Sequence, residues 1–413
     1  MQRIRMMAAL VLALPLLAGC YDNDPLNAPD LSTSNGLMAR YVSLGNSITA
    51  GYQSAGINDS TQQRSYAVLF AGRANAPFFV PSLQGRGCAP PLTNNVTGAR
   101  VGGGTASTCD LRADERLFYV SNVAVPGANS FSPTDNMSAF ANSNALTTFI
   151  LGGRTQVQAM RDADPTFVTA WIGNNDALGA FTSSTNPGNP ALITPQPVFE
   201  ANYSAMLDSI DATGADATLI GVVDVTTAPY ASMTAIYYCL TYVDAARCQA
   251  PLPTTPNATL AALAAAGRWT VLVNCAAPSG LATLIPWTIA LTKLKTAAAG
   301  LPQTMDCSND AQVVTPTELA GLQNAVAGFN SYISAQAAAR GMAYLDMNPT
   351  LAALKATGAI PAIPNFAPAL ANQPVTFGNY FTLDGVHPST LAHQLVADSL
   401  VSTVNSFFGT SIP

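Results

Sequence analysis

Short apolar runs, each followed by a turn or a polar motif, recur along this chain and constrain its fold more than any other feature. Five of them have the length and character of buried strands: 40–44, 117–125, 166–172, 217–225 and 342–347. The run ATLIGVVDV is apolar on both of its faces, as a strand is when helices cover both sides of a parallel sheet. We therefore expect these runs to form a buried parallel sheet.

Segments with helical periodicity separate the runs. Apolar residues recur every three or four positions across 199–210, and residues 145–163 and 390–408 have the same character. A capping-box motif with proline at the first turn predicts one more helix, spanning 315–341. Such alternation predicts a three-layer α/β/α fold with a central parallel sheet of about five strands.

Two long segments, 53–116 and 226–314, do not follow this alternation. We interpret them as insertions within one domain that spans residues 38–413. Six of the seven cysteines lie in them, and an even number suits disulfides in an oxidising compartment. Six cysteines allow fifteen pairings, and we predict that neighbours in sequence pair: Cys88–Cys109, Cys239–Cys248 and Cys275–Cys307.

The charge composition limits the partners that the chain can bind. Only 10% of its 413 residues are charged, with 17 Lys and Arg against 23 Asp and Glu. Because nucleic-acid binding depends on clustered basic residues, we expect no nucleic-acid partner. A hydrophobic content of 49% excludes intrinsic disorder.

The mean hydropathy of +0.24 is high for a soluble protein, and the N-terminus explains part of it. Two arginines precede an apolar run at 6–17. This run is shorter than the roughly 20 residues that span a bilayer, and it has the length of a signal-peptide core. We therefore predict a signal peptide at 1–19.

The signal ends in LAGC, which resembles a bacterial lipobox. In that class of signals the cysteine, here Cys20, becomes the lipid-carrying first residue of the mature protein. Residues 22–35 are rich in Asp, Asn, Pro and Ser, which predicts a flexible tether at 20–37. The resemblance implies a lipid anchor in the bacterial cell envelope. Because Tyr21 rather than Asp follows, it favours the outer membrane over the inner one. The alternative is an ordinary secretory signal with a chance cysteine.

Two polar motifs have the residues of a nucleophilic site. GNS at 45–47 follows the first predicted strand, where a serine hydroxyl lies beside the free N–H groups of a helix start. DGVH at 384–387 offers a histidine that can take a serine proton and a carboxylate that can fix its tautomer. Each motif alone is common, since most such serines cap helices and most single histidines are structural.

With two further motifs, these segments resemble the SGNH, or GDSL-like, hydrolase family. GNSIT corresponds to the first block, with Ser47 as nucleophile, and VPGA to the second, whose glycine is Gly127. GNND corresponds to the third block, whose oxyanion-binding asparagine is Asn175. DGVH supplies the acid Asp384 and the base His387, and all four blocks follow the family order.

The resemblance implies a serine ester hydrolase that works through an acyl-enzyme. The oxyanion hole would consist of the N–H groups of Ser47 and Gly127 and the Asn175 amide. This chemistry needs no metal or organic cofactor. The cysteine spacing and the two histidines also disfavour a zinc or thioredoxin-type site.

One position departs from the commonest family pattern. Asn46 stands where the first block usually has Asp. Asparagine keeps the size and hydrogen-bonding capacity of that side chain but not its charge. We expect no loss of function, since Asp384 supplies the triad carboxylate.

The sequence leaves the substrate open. Esterase, lipase and carbohydrate O-deacetylase activities all fit the motifs, and the class outside enzymes is a non-catalytic surface lipoprotein that binds a glycan or lipid. The apolar stretch 281–294 could form an acyl-binding lid, but we expect it to be core. We expect a monomer that acts on neutral small-molecule, lipid or glycan esters.

Overall fold

The computed structural model describes residues 36–111, 117 and 119–413. The predicted signal peptide, Cys20 and the tether up to residue 35 lie outside the described residues. So do the last five residues of the first predicted insertion and residue 118 of the second predicted strand. None of the helices in the described part is both long and apolar enough to cross a membrane.

Short strands occur throughout the described part of the chain. They are β1 (Tyr41–Gly45), β2 (Leu92–Asn94), β3 (Ala99–Arg100), β4 (Phe167–Trp171), β5 (Asp216–Ile220), β6 (Ala231–Met233), β7 (Trp269–Val271), β8 (Leu284–Pro286), β9 (Gln303–Met305) and β10 (Ala343–Leu345).

Four of these strands form the central sheet in the order β1-β4-β5-β10, and every neighbouring pair is parallel. The segment 121–125 runs beside β1 as a fifth member, with Ser43 N–H donating to the Ser121 carbonyl at 2.8 Å. Between this segment and β1, only the pair Ser43 and Asn122 forms a regular β-bridge. In chain order the sheet therefore reads 2-1-3-4-5, the flavodoxin-like arrangement, in which ligands bind at the carboxyl ends of the strands.

The α-helices of the described part pack around this sheet or within the insertions. They are α1 (Ser47–Ala50), α2 (Asp59–Gln62), α3 (Tyr66–Arg73), α4 (Ala145–Leu151), α5 (Gln156–Asp162), α6 (Asn175–Phe181), α7 (Gln196–Asp211), α8 (Thr234–Thr241), α9 (Ala258–Ala265), α10 (Trp287–Ala298), α11 (Pro316–Arg340), α12 (Asn348–Ala356) and α13 (Thr390–Phe408).

Alternate side chains of the sheet enter two separate cores. Tyr41 and Phe167 pack with α3 and α13, whereas Val42 and Val168 pack with α5, α7 and α11. Successive side chains of a strand point to opposite faces, so strands apolar on both faces need helices on both. The predicted three-layer α/β/α fold is confirmed.

Two predicted elements differ from the structure for local reasons. The single helix expected at 145–163 is divided into α4 and α5, because Gly152 and Gly153 adopt φ angles of 60° and 84° that end α4. Within the first predicted insertion, α3 belongs to a core layer, since Tyr66 and Phe70 are fully buried in it. Residues 53–116 are therefore not all peripheral.

The second predicted insertion has a hydrophobic core of its own. Two small strand pairs, β6–β8 and β7–β9, enclose it with α8 and α10. Ile285 and Leu294 of the apolar stretch 281–294 are 0% and 3% exposed, so this stretch is core rather than a lid. Three disulfides link the predicted pairs of cysteines: Cys88–Cys109, Cys239–Cys248 and Cys275–Cys307.

Candidate active site

The turn after β1 presents Ser47 at the carboxyl end of the sheet. Asn46 caps α1, because its side-chain oxygen accepts a hydrogen bond from Ile48 N–H at 3.0 Å. The Gln156 side chain donates to the Gly45 carbonyl and accepts from its N–H, both at 3.1 Å. These contacts fix the turn, and Ser47 becomes the first residue of a helix whose early N–H groups have no intrahelical acceptor.

The structure brings the three predicted triad residues into contact. His387 Nε2 lies 3.0 Å from Ser47 Oγ, and His387 Nδ1 lies 2.8 Å from Asp384 Oδ2. Ser47 and His387 are 340 residues apart in sequence, so the fold alone brings them together. This is the geometry in which an imidazole can accept a serine proton.

Asp384 is held by more than its histidine. Its Oδ1 accepts from the backbone N–H groups of Val386 and His387 at 2.9 and 2.8 Å, and its Oδ2 accepts from Ala55 N–H at 2.6 Å. Burial by itself would raise the pKa of this carboxyl, but the charge of His387 and the hydrogen bonds from His387 and Val386 outweigh burial and lower the pKa to about 2. Asp384 is therefore ionised throughout the neutral range.

The second motif, VPGA at 125–128, forms a turn that lines the same cleft as Ser47. Gly127 has a φ of 87°, a conformation that favours glycine. Asn144 donates to the Pro126 carbonyl at 2.7 Å, and Asn142 donates to the Gly127 carbonyl at 2.6 Å. With both carbonyls held, the orientation of the Gly127 N–H is fixed at the cleft, which Gly127 and Asn144 line together with Ser47.

Asn175, the first residue of α6, lines the same cleft. Its Nδ2 donates to the Ala128 carbonyl at 2.8 Å, which sets the rotamer and leaves the second N–H of the amide for a ligand. Asn175, Ser47 and Gly127 thus line one cleft beside the serine hydroxyl. The arrangement fits an oxyanion hole.

The sequence matches a known protein family over most of its length. The model of the GDSL-like lipase/acylhydrolase family matches residues 41–400. This chain belongs to that family. As a GDSL-like acylhydrolase it is a carboxylic ester hydrolase, and the four motifs lie inside the matched range.

Other comparisons add little to the GDSL-like assignment. A crystal structure of an acetyl xylan esterase aligns with 88% of this chain and 99% of its own, at 11% identity and a TM-score of 0.34. A TM-score this low does not establish a common fold. No curated protein matches the sequence significantly.

Two other titratable residues of this GDSL-like protein have structural roles. Asp176 is 1% exposed, accepts from Ser130 N–H and Oγ at 2.8 and 2.6 Å, and so ties α6 to the segment after Gly127; burial raises its pKa to about 6. His393 is fully buried and accepts from Tyr66 N–H at 3.1 Å, and burial followed by the charge of His387 lowers its pKa to about 3.

The triad opens into a cleft of about 440 Å³. Apart from His387, no titratable side chain except Tyr52 is among the described residues that line it, and Leu146 and Leu178 form an apolar wall. A larger cleft of about 770 Å³, near Asn58, contains no triad residue. In the described ranges no three His, Cys, Asp or Glu side chains are grouped to hold a metal ion.

Sequence reasoning missed the part of this cleft that the first insertion builds. Cys88, Ala89 and Ala106 line it, and the ring of Tyr52 packs 4.8 Å from the His387 ring. Burial, reinforced by the Asp384 charge, raises the pKa of Tyr52 to about 12, so this phenol stays neutral. In the sequence, only the predicted disulfide Cys88–Cys109 indicated that this part of the first insertion is ordered.

Proposed function

We propose that this protein cleaves neutral carboxylic esters through an acyl-enzyme on Ser47, with His387 as general base and Asp384 as the orienting acid. The observation that carries this proposal is the unbroken series of contacts from Ser47 Oγ through His387 to Asp384, in which Ser47 and His387 line the cleft. The test is the Ser47→Ala variant, which is expected to lose ester hydrolysis.

The mechanism has two halves with matching proton transfers. As Ser47 Oγ attacks the ester carbonyl carbon, its proton moves to His387 Nε2, and the carbonyl π electrons move to the oxygen. The tetrahedral intermediate collapses when the C–O bond to the alcohol breaks and His387 returns the proton to that oxygen. Water then attacks the acyl-enzyme with His387 as base, and the acid leaves as Ser47 is regenerated.

The oxyanion donors stabilise both tetrahedral intermediates. Ser47 N–H, Gly127 N–H and the Asn175 amide are positioned before substrate arrives, so they need no reorganisation as charge develops. One such donor is typically worth about 3 kcal/mol. A binding module without catalysis needs neither this group of donors nor a base beside a serine, and these features favour the enzyme over the non-catalytic lipoprotein.

The composition of the cleft favours neutral esters with short acyl groups. Each methylene that Leu146 and Leu178 cover is worth about 0.8 kcal/mol, or roughly fourfold in kcat/KM. We expect p-nitrophenyl butyrate to be a better substrate than the acetate. Beyond the octanoate we expect no gain, because no residue of the apolar stretch 281–294 is among the described residues that line this cleft, so the stretch does not extend the wall.

Two variants sharpen this measurement. Leu178→Ala is expected to remove the preference for butyrate over acetate, whereas Leu192→Ala, which changes an exposed leucine outside the cleft, leaves it intact. A continuous rise in kcat/KM up to the palmitate would contradict the short-acyl proposal and indicate a lipase. Release of acetate from an acetylated polysaccharide, measured alongside, tests the carbohydrate deacetylase alternative.

We propose further that Cys20 carries a lipid that anchors the enzyme to the outer membrane. The support is the apolar run at 6–17 and the LAGC motif that ends it. In a bacterial host, we expect labelled palmitate to be incorporated into the wild type but not into Cys20→Ala, which stays out of the detergent phase. Tyr21→Asp should keep the label and move to the inner-membrane fraction; equal labelling of Cys20→Ala would overturn the anchor.

A further inference from the structure

A β-hairpin of the first insertion lies against both segments that hold the triad carboxylate. It consists of β2, β3 and the turn between them, residues 92–100, and we call it the insertion hairpin. One side of it contacts the turn Ser54–Ala55, and its tip contacts the segment that leads to Asp384. No motif of the family match predicts this arrangement.

The first contact is with the turn Ser54–Ala55, which donates a hydrogen bond to the Asp384 carboxylate. Ala55 N–H donates to Asp384 Oδ2, the oxygen that also faces His387 Nδ1. Ser54 and Ala55 have φ angles of 53° and 52°, in the left-handed region that costs non-glycine residues energy. Surrounding contacts must therefore hold this turn in place.

Arg100 supplies one of those contacts. Its Nη1 donates to the Ala55 carbonyl at 2.8 Å and to the Pro90 carbonyl at 2.6 Å. Leu92 N–H, on the paired strand, donates to the Ser54 carbonyl at 2.8 Å. The guanidinium thus fixes the peptide unit that follows the N–H group pointing at Asp384.

Asn95, at the tip, holds the other side. Its Nδ2 donates to the carbonyls of Leu383 and Val375 at 2.6 and 2.9 Å, and its Oδ1 accepts from Val375 N–H at 2.9 Å. Leu383 precedes Asp384 directly. The insertion hairpin therefore contacts two segments: the one that precedes Asp384, through Leu383, and the turn that donates an N–H to its carboxylate, through Ala55.

We propose that Arg100 and Asn95 are positioning residues, which set the place of the Asp384 carboxylate relative to His387. This inference rests on the proposed function of the triad. Neither side chain is among the residues that line the cleft, so both act through Asp384 and not on the substrate. A carboxylate displaced by about an ångström leaves the imidazole misoriented, which can cost up to roughly 100-fold in rate.

The test compares each change with and without the carboxylate. Arg100→Ala and Asn95→Ala are expected to lower kcat by roughly 10- to 100-fold with KM little changed. In an Asp384→Asn background the same changes should cause no further loss, because the group on which they act is gone. Arg100→Lys, which can still donate to a carbonyl, should recover part of kcat.

Arg86→Ala is the matched control, since Arg86 is in the same insertion but pairs with Asp110. It should keep the wild-type kcat. Wild-type kcat in Arg100→Ala and Asn95→Ala would overturn the inference, as would equal losses in both backgrounds, which indicate a general effect on the fold. Neither result affects the proposed function, which is tested separately by the activity of Ser47→Ala.

Discussion

Ser47→Ala is expected to abolish ester hydrolysis, with kcat falling by as much as about a million-fold. The alanine cannot form the acyl-enzyme, and His387 loses the hydroxyl that lies 3.0 Å from its Nε2. Any residual rate would come from the oxyanion donors acting on water attack, which is worth roughly 10³- to 10⁴-fold over solution. Turnover of p-nitrophenyl butyrate measures the effect.

The fold should survive this change, because the Ser47 side chain makes no contact that the sheet needs. We expect the thermal unfolding of Ser47→Ala to match that of the wild type. Ser209→Ala, on the surface-facing side of α7, is the control for loss of a serine hydroxyl and should be fully active. Substantial turnover by a folded Ser47→Ala protein would show that another nucleophile acts.

Asp384→Asn is expected to have the next largest effect, on the order of a 10⁴-fold loss of kcat. The carboxylate accepts hydrogen bonds from Ala55, Val386 and His387 on both of its oxygens. An amide has only one oxygen, so its NH₂ group must replace either Oδ1 or Oδ2. In either place it faces backbone N–H groups, which cannot accept a hydrogen bond. If it faces the ring, it selects the tautomer in which His387 Nε2 is protonated and cannot accept the Ser47 proton.

Two controls show whether the loss of kcat in Asp384→Asn is specific to this carboxylate: kcat of the wild type measured against pH, and a variant that removes another carboxylate. Because the pKa of Asp384 is about 2, lowering the pH within the mildly acidic range does not reproduce the variant by protonating this carboxyl. Asp398→Asn, which removes a surface carboxylate paired with Arg73, should keep wild-type kcat. A fully active Asp384→Asn protein would contradict the role given to the acid.

The part of the fold that follows from local pattern was predictable. Strands apolar on both faces required two helical layers, and Thr315 with Glu318 forms the predicted capping box at the start of α11. The residues now proposed as catalytic were also within reach of sequence, because each stands in a short motif at a strand end. The roles themselves stay predictions until the variants are measured.

The residues that hold the catalytic side chains and turns in place could not be predicted from the sequence, for a physical reason. Arg100, Asn95, Asn142 and Gln156 act through hydrogen bonds to backbone groups that are distant in sequence or conformationally unusual. Such contacts leave no periodicity and no spacing in the chain. The division of 145–163 into two helices depends on two glycines whose left-handed conformation a helical pattern does not show.

Covalent labelling with a fluorophosphonate probe, followed by mass spectrometry of the labelled peptide, tests directly whether Ser47 is an activated nucleophile. Only a serine activated by a neighbouring base reacts rapidly with such a probe. We expect one adduct, on Ser47, that forms in the wild type, is lost in Ser47→Ala and forms much more slowly in His387→Ala. An unlabelled wild-type protein, or an adduct on a different serine, would contradict it.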